Sequence, residues 1–494
     1  MDEGVPARAA WPDVVGVVAA ASIGVLFAVR GLPLALISAV DDLVPDPSLA
    51  RAAYAAALLT VAVAVPGLLS RVSGWLVAAV GLLVVLVGDL VVADATVTLL
   101  PERSRPVSEL VVVFAVSAGV GLALGGSLLA VAQTPRSTRW WLGAGLVGGL
   151  VLHPVSSALF RAFLPEPAPY GPVPTARTLQ PADLQLWIAV AATVVAAAVT
   201  FRRASGVPAV PARPRVGALV AVTGATVLLT VGLAVRLRIV DGFRYSPDGL
   251  AGPRRERAVE PFAHFSAVAL AVVVALLLAA YAYRAGRARA ARWVVLCAAA
   301  GPIMVIGFRL DVISPTPGSA LVLVFGLVAV VGGALVGRHA EDLAPWDAVG
   351  LVVAAVATPL TSAVVRAEFP SVRTVGPVLI VVGLGLALGY GIVQAVLPGV
   401  DRPAGDAGVF VLGPAALVLT ATALAPVVVR LEYDGPSQGP SFTVPVFAAV
   451  GALLLVLLFG FAWCPPSSPR PHRGGGRTRR AVGRARRAAH HVPV

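Results

Sequence analysis

The chain contains no lysine: all 38 of its basic residues are arginine, and only 13% of its 494 residues carry a charge. A soluble domain carries roughly 25% charged residues, so water cannot be the main solvent of this chain. Cysteine is nearly missing too. Cys297 and Cys464 are its two cysteines, which excludes a disulfide framework, and no Cys or His pairs stand at ligand spacing, so no metal is expected. There is no glycine-rich phosphate loop and no nucleophile elbow, which leaves no expected cofactor and no covalent catalysis. Long polar stretches are scarce as well. The only break longer than about 20 residues lies between Val240 and Phe262, too short for a soluble catalytic domain, and the chain reads as a non-enzyme. Exclusive arginine, with abundant Ala, Val, Gly and Pro, reads as GC-rich bacterial coding.

What is present is apolar length. Hydrophobic residues make up 58% of the chain, and fourteen apolar stretches follow one another between Val14 and Trp463. A helix needs roughly 20 apolar residues to cross about 30 Å of hydrocarbon, and only helices and closed barrels satisfy their backbone there. The expected fold is all-α, a polytopic membrane protein with about fourteen transmembrane helices. Placing both termini in the cytoplasm puts 22 of the 38 arginines in inner loops and tails, the orientation the positive-inside rule favours in a plasma membrane. Eight of those lie in the tail between Arg470 and Arg487, whose Gly, Pro and Arg content cannot bury a core and predicts disorder over 466–494. Anionic membrane lipid is its expected partner, at about 1 kcal/mol per basic residue. Nucleic acid is not expected.

The spans pair into seven hairpins. Helices running outward end in Arg309-Leu-Asp311, Arg366-Ala-Glu368 and Arg430-Leu-Glu432, and earlier ones in Arg161 and in Arg236 and Arg238. A cation there meets the negative end of the helix dipole and can reach the headgroups, which makes these residues anchors. The same spacing fits an arginine-lined outer vestibule for an anionic solute.

Polar residues well inside a span carry the functional expectations, since each costs about 2.5 kcal/mol or more at mid-depth. Arg30 lies roughly 24 Å into the first helix and fits either a cavity or a snorkelling position. Asp89 and Asp94 are the carboxylates within a span; Asp89 lies at a depth similar to that of Arg30 and is either a proton-coupling group or its counter-charge. His153, followed by Pro154, stands in mid-helix as a solute or proton group or as a hydrogen-bonded interface residue.

Two loops and two helices carry a family resemblance. Gly67-Leu-Leu-Ser-Arg71-Val-Ser-Gly74 occupies the turn between helices 2 and 3, where the major facilitator superfamily has Gly-x-Leu-Ala-Asp-Arg-x-Gly-Arg, with Arg71 in place of the acid. Helix 4 matches a family motif at Gly119, Gly121 and Ala123, and Gly149 to Ala158 echoes the antiporter motif of helix 5. The loop Gly337-Arg-His-Ala340-Glu341 repeats the first turn in the second half. The chain thus resembles the major facilitator superfamily, in particular its fourteen-helix drug and proton antiporter branch.

That resemblance implies two pseudo-symmetric six-helix bundles with a two-helix insert: residues 1–201, a connector and insert over 202–290, and residues 291–465. It also implies a secondary-active transporter that binds a small solute, with protons as a coupling partner, near the midplane. Export of an anionic or amphipathic compound is the leading expectation. A non-transporting scaffold or sensor on a transporter fold and a lipid-linked precursor flippase are the alternatives.

Overall fold

The computed structural model describes residues 11–31, 47–97, 105–163, 181–203, 216–244, 253–285, 288–309, 317–339, 345–361, 372–396, 410–433 and 451. These form thirteen α-helices, with no strand among the described residues. In chain order they are α1 (Trp11–Leu26), α2 (Pro47–Leu68), α3 (Gly74–Val97), α4 (Arg105–Gln133), α5 (Arg136–Phe163), α6 (Pro181–Arg203) and α7 (Val216–Arg244). Then come α8 (Pro253–Arg284), α9 (Ala288–Arg309), α10 (Pro317–His339), α11 (Trp346–Ala357), α12 (Val372–Val396) and α13 (Leu412–Tyr433). Each falls on one of the first thirteen expected spans. The fourteenth, Val444 to Trp463, lies outside the described residues apart from Gly451.

Among the described residues, nine of the helices are long and apolar enough to cross a membrane, and α3, α11 and α13 contain shorter apolar segments. α5 belongs to neither group. It is 28 residues long and lies against α1, α10 and α12, so its lower apolarity is carried inside the bundle.

The first half is built from α1 on α5 and α6, α4 on α2 and α3, and α3 on α6. Eight helices later the same contacts recur, with α9 on α13 and α12 on α10 and α11. Small residues set both copies. A Cβ on Gly81 of α3 would lie 2.6 Å from the Gly119 carbonyl oxygen and 2.5 Å from the Ala123 nitrogen on α4. On Gly350 of α11 it would lie 2.5 Å from the Gly383 oxygen and 2.7 Å from the Ala387 nitrogen on α12. Any larger residue would push backbone from backbone, which is the contact that drives helix association where lipid removes the hydrophobic contrast.

The matching segments are visible in the chain: Gly119-Val-Gly-Leu-Ala-Leu-Gly125 on α4 and Gly383-Leu-Gly-Leu-Ala-Leu-Gly389 on α12. In both copies the second and third glycines face the other neighbour, Gly121 and Gly125 towards α2, Gly385 and Gly389 towards α10. The two bundles are therefore pseudo-symmetric in packing as well as in order.

The insert is not an appendage of one bundle. α7 touches α2 and α13, while α8 touches α9 and α13, so the hairpin lies across the seam where α2 meets α13. Its inner stripe is small and apolar, Ala218, Val222, Ala225 and Leu229 on α7 against Ala267, Ala271, Val274 and Leu278 on α8. The second seam between the bundles is formed by α5 with α10 and α12.

Candidate functional site

α1 does not end as an α-helix. Its last turn, Phe27–Gly31, is a π turn that lies on α4 and α5. Such turns carry one extra residue, are rare, and concentrate at functional positions. Hydrogen bonds from outside hold this one: the Tyr54 hydroxyl on α2 donates to the Arg30 carbonyl at 2.7 Å, and Ser117 on α4 donates to the Tyr54 carbonyl at 2.7 Å. Inside the turn, a Cβ on Gly31 would lie 2.5 Å from the Phe27 ring, so any larger residue would have to displace that buried ring.

The turn aims Arg30 at α3. Its Nη2 donates to Asp89 Oδ2 at 2.8 Å, and the side chains are 28% and 12% exposed, so the pair is largely withdrawn from solvent. The Arg30 Nε is buried without a hydrogen-bond partner in the structure. Gly88, next to the acid, faces α4, where a Cβ would stand 2.5 Å from the Val116 side chain, and Asp89, one residue on, reaches Arg30. Depth in the membrane places these two residues level with each other, and the structure joins them.

His153 is engaged differently. Pro154 has no N–H, so the Leu150 carbonyl loses the partner it would have four residues on. His153 Nδ1 lies 3.3 Å from that same oxygen and takes the vacated acceptor. Ser156 then donates to the His153 carbonyl at 2.8 Å, and Gln185 of α6 donates to Ser156 at 3.3 Å. This chain of contacts gives the histidine a reason to be in the helix independent of any solute.

The two degenerate motif loops are tied by glutamines. Gln133, at the end of α4, accepts from the Gly74 N–H at 2.8 Å and donates to the Val72 carbonyl at 2.7 Å, while Arg71 stands exposed. In the other half, Gln394 of α12 donates to the Gly337 carbonyl at 2.6 Å. Gly67 occupies the last turn of α2, after Pro66. Arg161, Arg309 and Arg430 are on helices, but their side chains, like that of Asp94, lie outside what is described; Arg366 and Glu341 are outside altogether.

A second ion pair is one that reading the chain missed. Arg292, at the start of α9, donates through Nε and Nη2 to both carboxylate oxygens of Asp347, at the start of α11. Asp347 is 1% exposed, and its Oδ1 also accepts from the Ala348 N–H. Each bundle thus joins its first and third helices with one Arg–Asp pair. The pairs sit at opposite ends: Arg292 and Asp347 at the end that holds the α2–α3 and α4–α5 turns, Arg30 and Asp89 at the other. The signal available in the sequence was an acid directly after Trp346 at a helix start, opposite a run of arginines before α9.

No family model matches the chain, and no curated protein matches it. Solved structures do. The partially occluded inward-open form of the xylose transporter XylE from E. coli is similar with a TM-score of 0.51 at 12% identity, covering 92% of this chain and 98% of that one. The inward-open form gives 0.51 at 13% identity over 93% and 97%. The major facilitator superfamily proton:xylose symporter XylE bound to 6-bromo-6-deoxy-D-glucose gives 0.50 at 12% over 91% and 95%. The chain therefore has the fold of major facilitator superfamily transporters along nearly its whole length.

Proposed function

We propose that this protein is a secondary-active transporter of the major facilitator superfamily, on its fourteen-helix antiporter branch, and that it exports a small anionic or amphipathic solute by alternating access. The observation that carries the reading is the Arg30–Asp89 pair, a withdrawn charge pair held between α1 and α3 by a π turn. Charges inside a span are expensive and persist where they line a pathway. The fold similarity supports it, since one of the similar structures is described as a proton:xylose symporter. In this reading Arg30 attracts the solute, Asp89 exchanges protons once the pair opens, and His153 stands on α5, a helix that the π turn touches.

The remaining assignments follow. The bundles comprise residues 1–201 and 291–465 with the connector and insert at 202–290, both termini face the cytoplasm of a plasma membrane, and the arginine tail from 466 onward meets anionic lipid. Single cysteines at Ser246 and Ser137 should then label with an impermeant thiol reagent from outside the cell and only after permeabilisation, respectively. The opposite pattern would reverse the orientation.

One observation favours the second reading, a non-transporting scaffold on the same fold. The seam along α5 is apolar, with Gly148 opposite Val330 and Leu152 opposite Gly326. Metabolite profiling separates the two. Cells lacking the gene, or carrying Arg30→Gln at normal membrane levels, should accumulate the same anionic or amphipathic compound several-fold relative to wild type. Identical profiles in all three strains would leave the scaffold standing.

A further inference from the structure

The last turn of α1 begins where close backbone packing ends. Up to Val25 the helix is seated on α5 through glycines: a Cβ on Gly24 would lie 2.9 Å from the Leu150 nitrogen, and one on Gly149 would lie 2.9 Å from the Val25 nitrogen. No side chain separates the two backbones there, so α1 is fixed to α5 as far as the turn. From Phe27 onward the winding is π, and side chains from other helices take hold of it.

Two of those side chains act on the same residue. The Tyr54 hydroxyl, on α2, donates to the Arg30 carbonyl at 2.7 Å, and Asp89, on α3, accepts from the Arg30 Nη2 at 2.8 Å. The carbonyls of a last helical turn have no partner within their own helix, and the hydroxyl supplies one. Tyr54 is 3% exposed, and its own carbonyl accepts from Ser117, so α2 and α4 together aim the hydroxyl. Tyr54 thus holds the backbone of Arg30, while Asp89 holds its side chain.

A π turn carries one residue more than an α turn. Rewinding it to α would carry Arg30 round the helix axis by up to about 100°, the step between neighbouring residues. That is far enough to take the guanidinium off Asp89. In the π state the Arg30 Nε is buried with no hydrogen-bond partner in the structure. An orphaned charged donor weighs against this winding, and the bond from Tyr54 weighs for it.

We propose that Tyr54 is the positioning residue for Arg30: its hydroxyl keeps the end of α1 wound as a π turn with Arg30 on Asp89, and its release lets the turn rewind and present Arg30 to the solute. The proposal rests on the transport reading and adds what decides when the Arg30–Asp89 pair opens.

The test uses the full chain in lipid nanodiscs with para-fluorophenylalanine in place of Phe27, whose buried ring covers Gly31 in the π turn. Fluorine NMR should show two resonances, the larger from the π state. Tyr54→Phe, which keeps the ring and removes the hydroxyl, should raise the ratio of minor to major by roughly five-fold, the net worth of one hydrogen bond. Asp89→Asn releases the side chain instead and should shift the ratio the same way, whereas Tyr281→Phe, the same change made on α8, should leave it at the parent value. Apparent affinity scales with the fraction of molecules that present Arg30. Tyr54→Phe should therefore lower the half-saturating concentration of the compound that accumulates in cells lacking the gene, by up to the same factor, where a merely structural tyrosine would raise it on removal. Two resonances whose ratio ignores Tyr54→Phe, a single resonance in every variant, or a raised half-saturating concentration would each overturn the proposal and leave the transport reading intact. Ratios that shift as expected in a protein that moves none of the compound would keep Tyr54 as the residue that holds the turn and remove the transport reading.

Discussion

Asp89→Leu is expected to destabilise the protein more than the double replacement of Arg30 and Asp89 by leucine. With Asp89 gone, Arg30 keeps its charge in a site that is about 28% exposed, with its Nε already buried and unpartnered. Removing one member of a buried pair costs about 3–5 kcal/mol, and the partial exposure of Arg30 puts this case at the lower end. Taking both charges away removes that cost, and the π turn is still held by Tyr54 and Ser117. The double variant should survive heating nearly as well as wild type, judged by the monodisperse fraction on size exclusion, yet transport nothing. If the double variant is no better folded than the singles, the two residues do not stabilise each other and the coupling role of Asp89 fails with them.

The second large effect is expected at the opposite end. Asp347 is more deeply enclosed, at 1% exposure, and it satisfies two nitrogens of Arg292 together with its own helix start at Ala348. Asp347→Ala should also cost about 3–5 kcal/mol, towards the lower end because the stranded Arg292 side chain is itself 26% exposed, with the lost contact to the Ala348 N–H added to it. Arg292→Lys retains the charge and loses the two-pronged geometry, so a partial loss is expected. This pair differs from Arg30–Asp89 in place: it lies at the opposite end, where no π turn adjoins it among the described residues, and in this account it serves only to join α9 to α11. An Arg292→Leu and Asp347→Leu double variant that folds should therefore remain active. A folded but inactive double variant would make the pair part of the transport machinery.

Helix content and order were legible because lipid leaves a chain few options, and a run such as Val375 to Leu397 has no other stable form in hydrocarbon. Depth was legible for the same reason: 1.5 Å per residue places Arg30 and Asp89 level without knowledge of which faces meet. The π turn was not legible, since what holds it is Tyr54 on another helix. Arg292 and Asp347 were hidden by position, as an arginine and an aspartate near helix starts read as ordinary interfacial residues until α9 and α11 are seen side by side. The glycine pattern stood in the open. Gly119 and Gly121 match a family motif, but their fuller match is the chain's own second half at Gly383 and Gly385, a comparison that needs no family.

The central claim is that Arg30 and Asp89 act in moving a solute, and reconstitution tests it most directly. The purified protein is placed in liposomes with the compound that accumulates in cells lacking the gene, and its flux is followed with and without a pH gradient. The account predicts flux that rises with the gradient in wild type, falls to the level of empty liposomes in the folded Arg30→Leu and Asp89→Leu double variant, and persists in the Arg292→Leu and Asp347→Leu one. Equal flux from wild type and from the Arg30 and Asp89 double variant would contradict it.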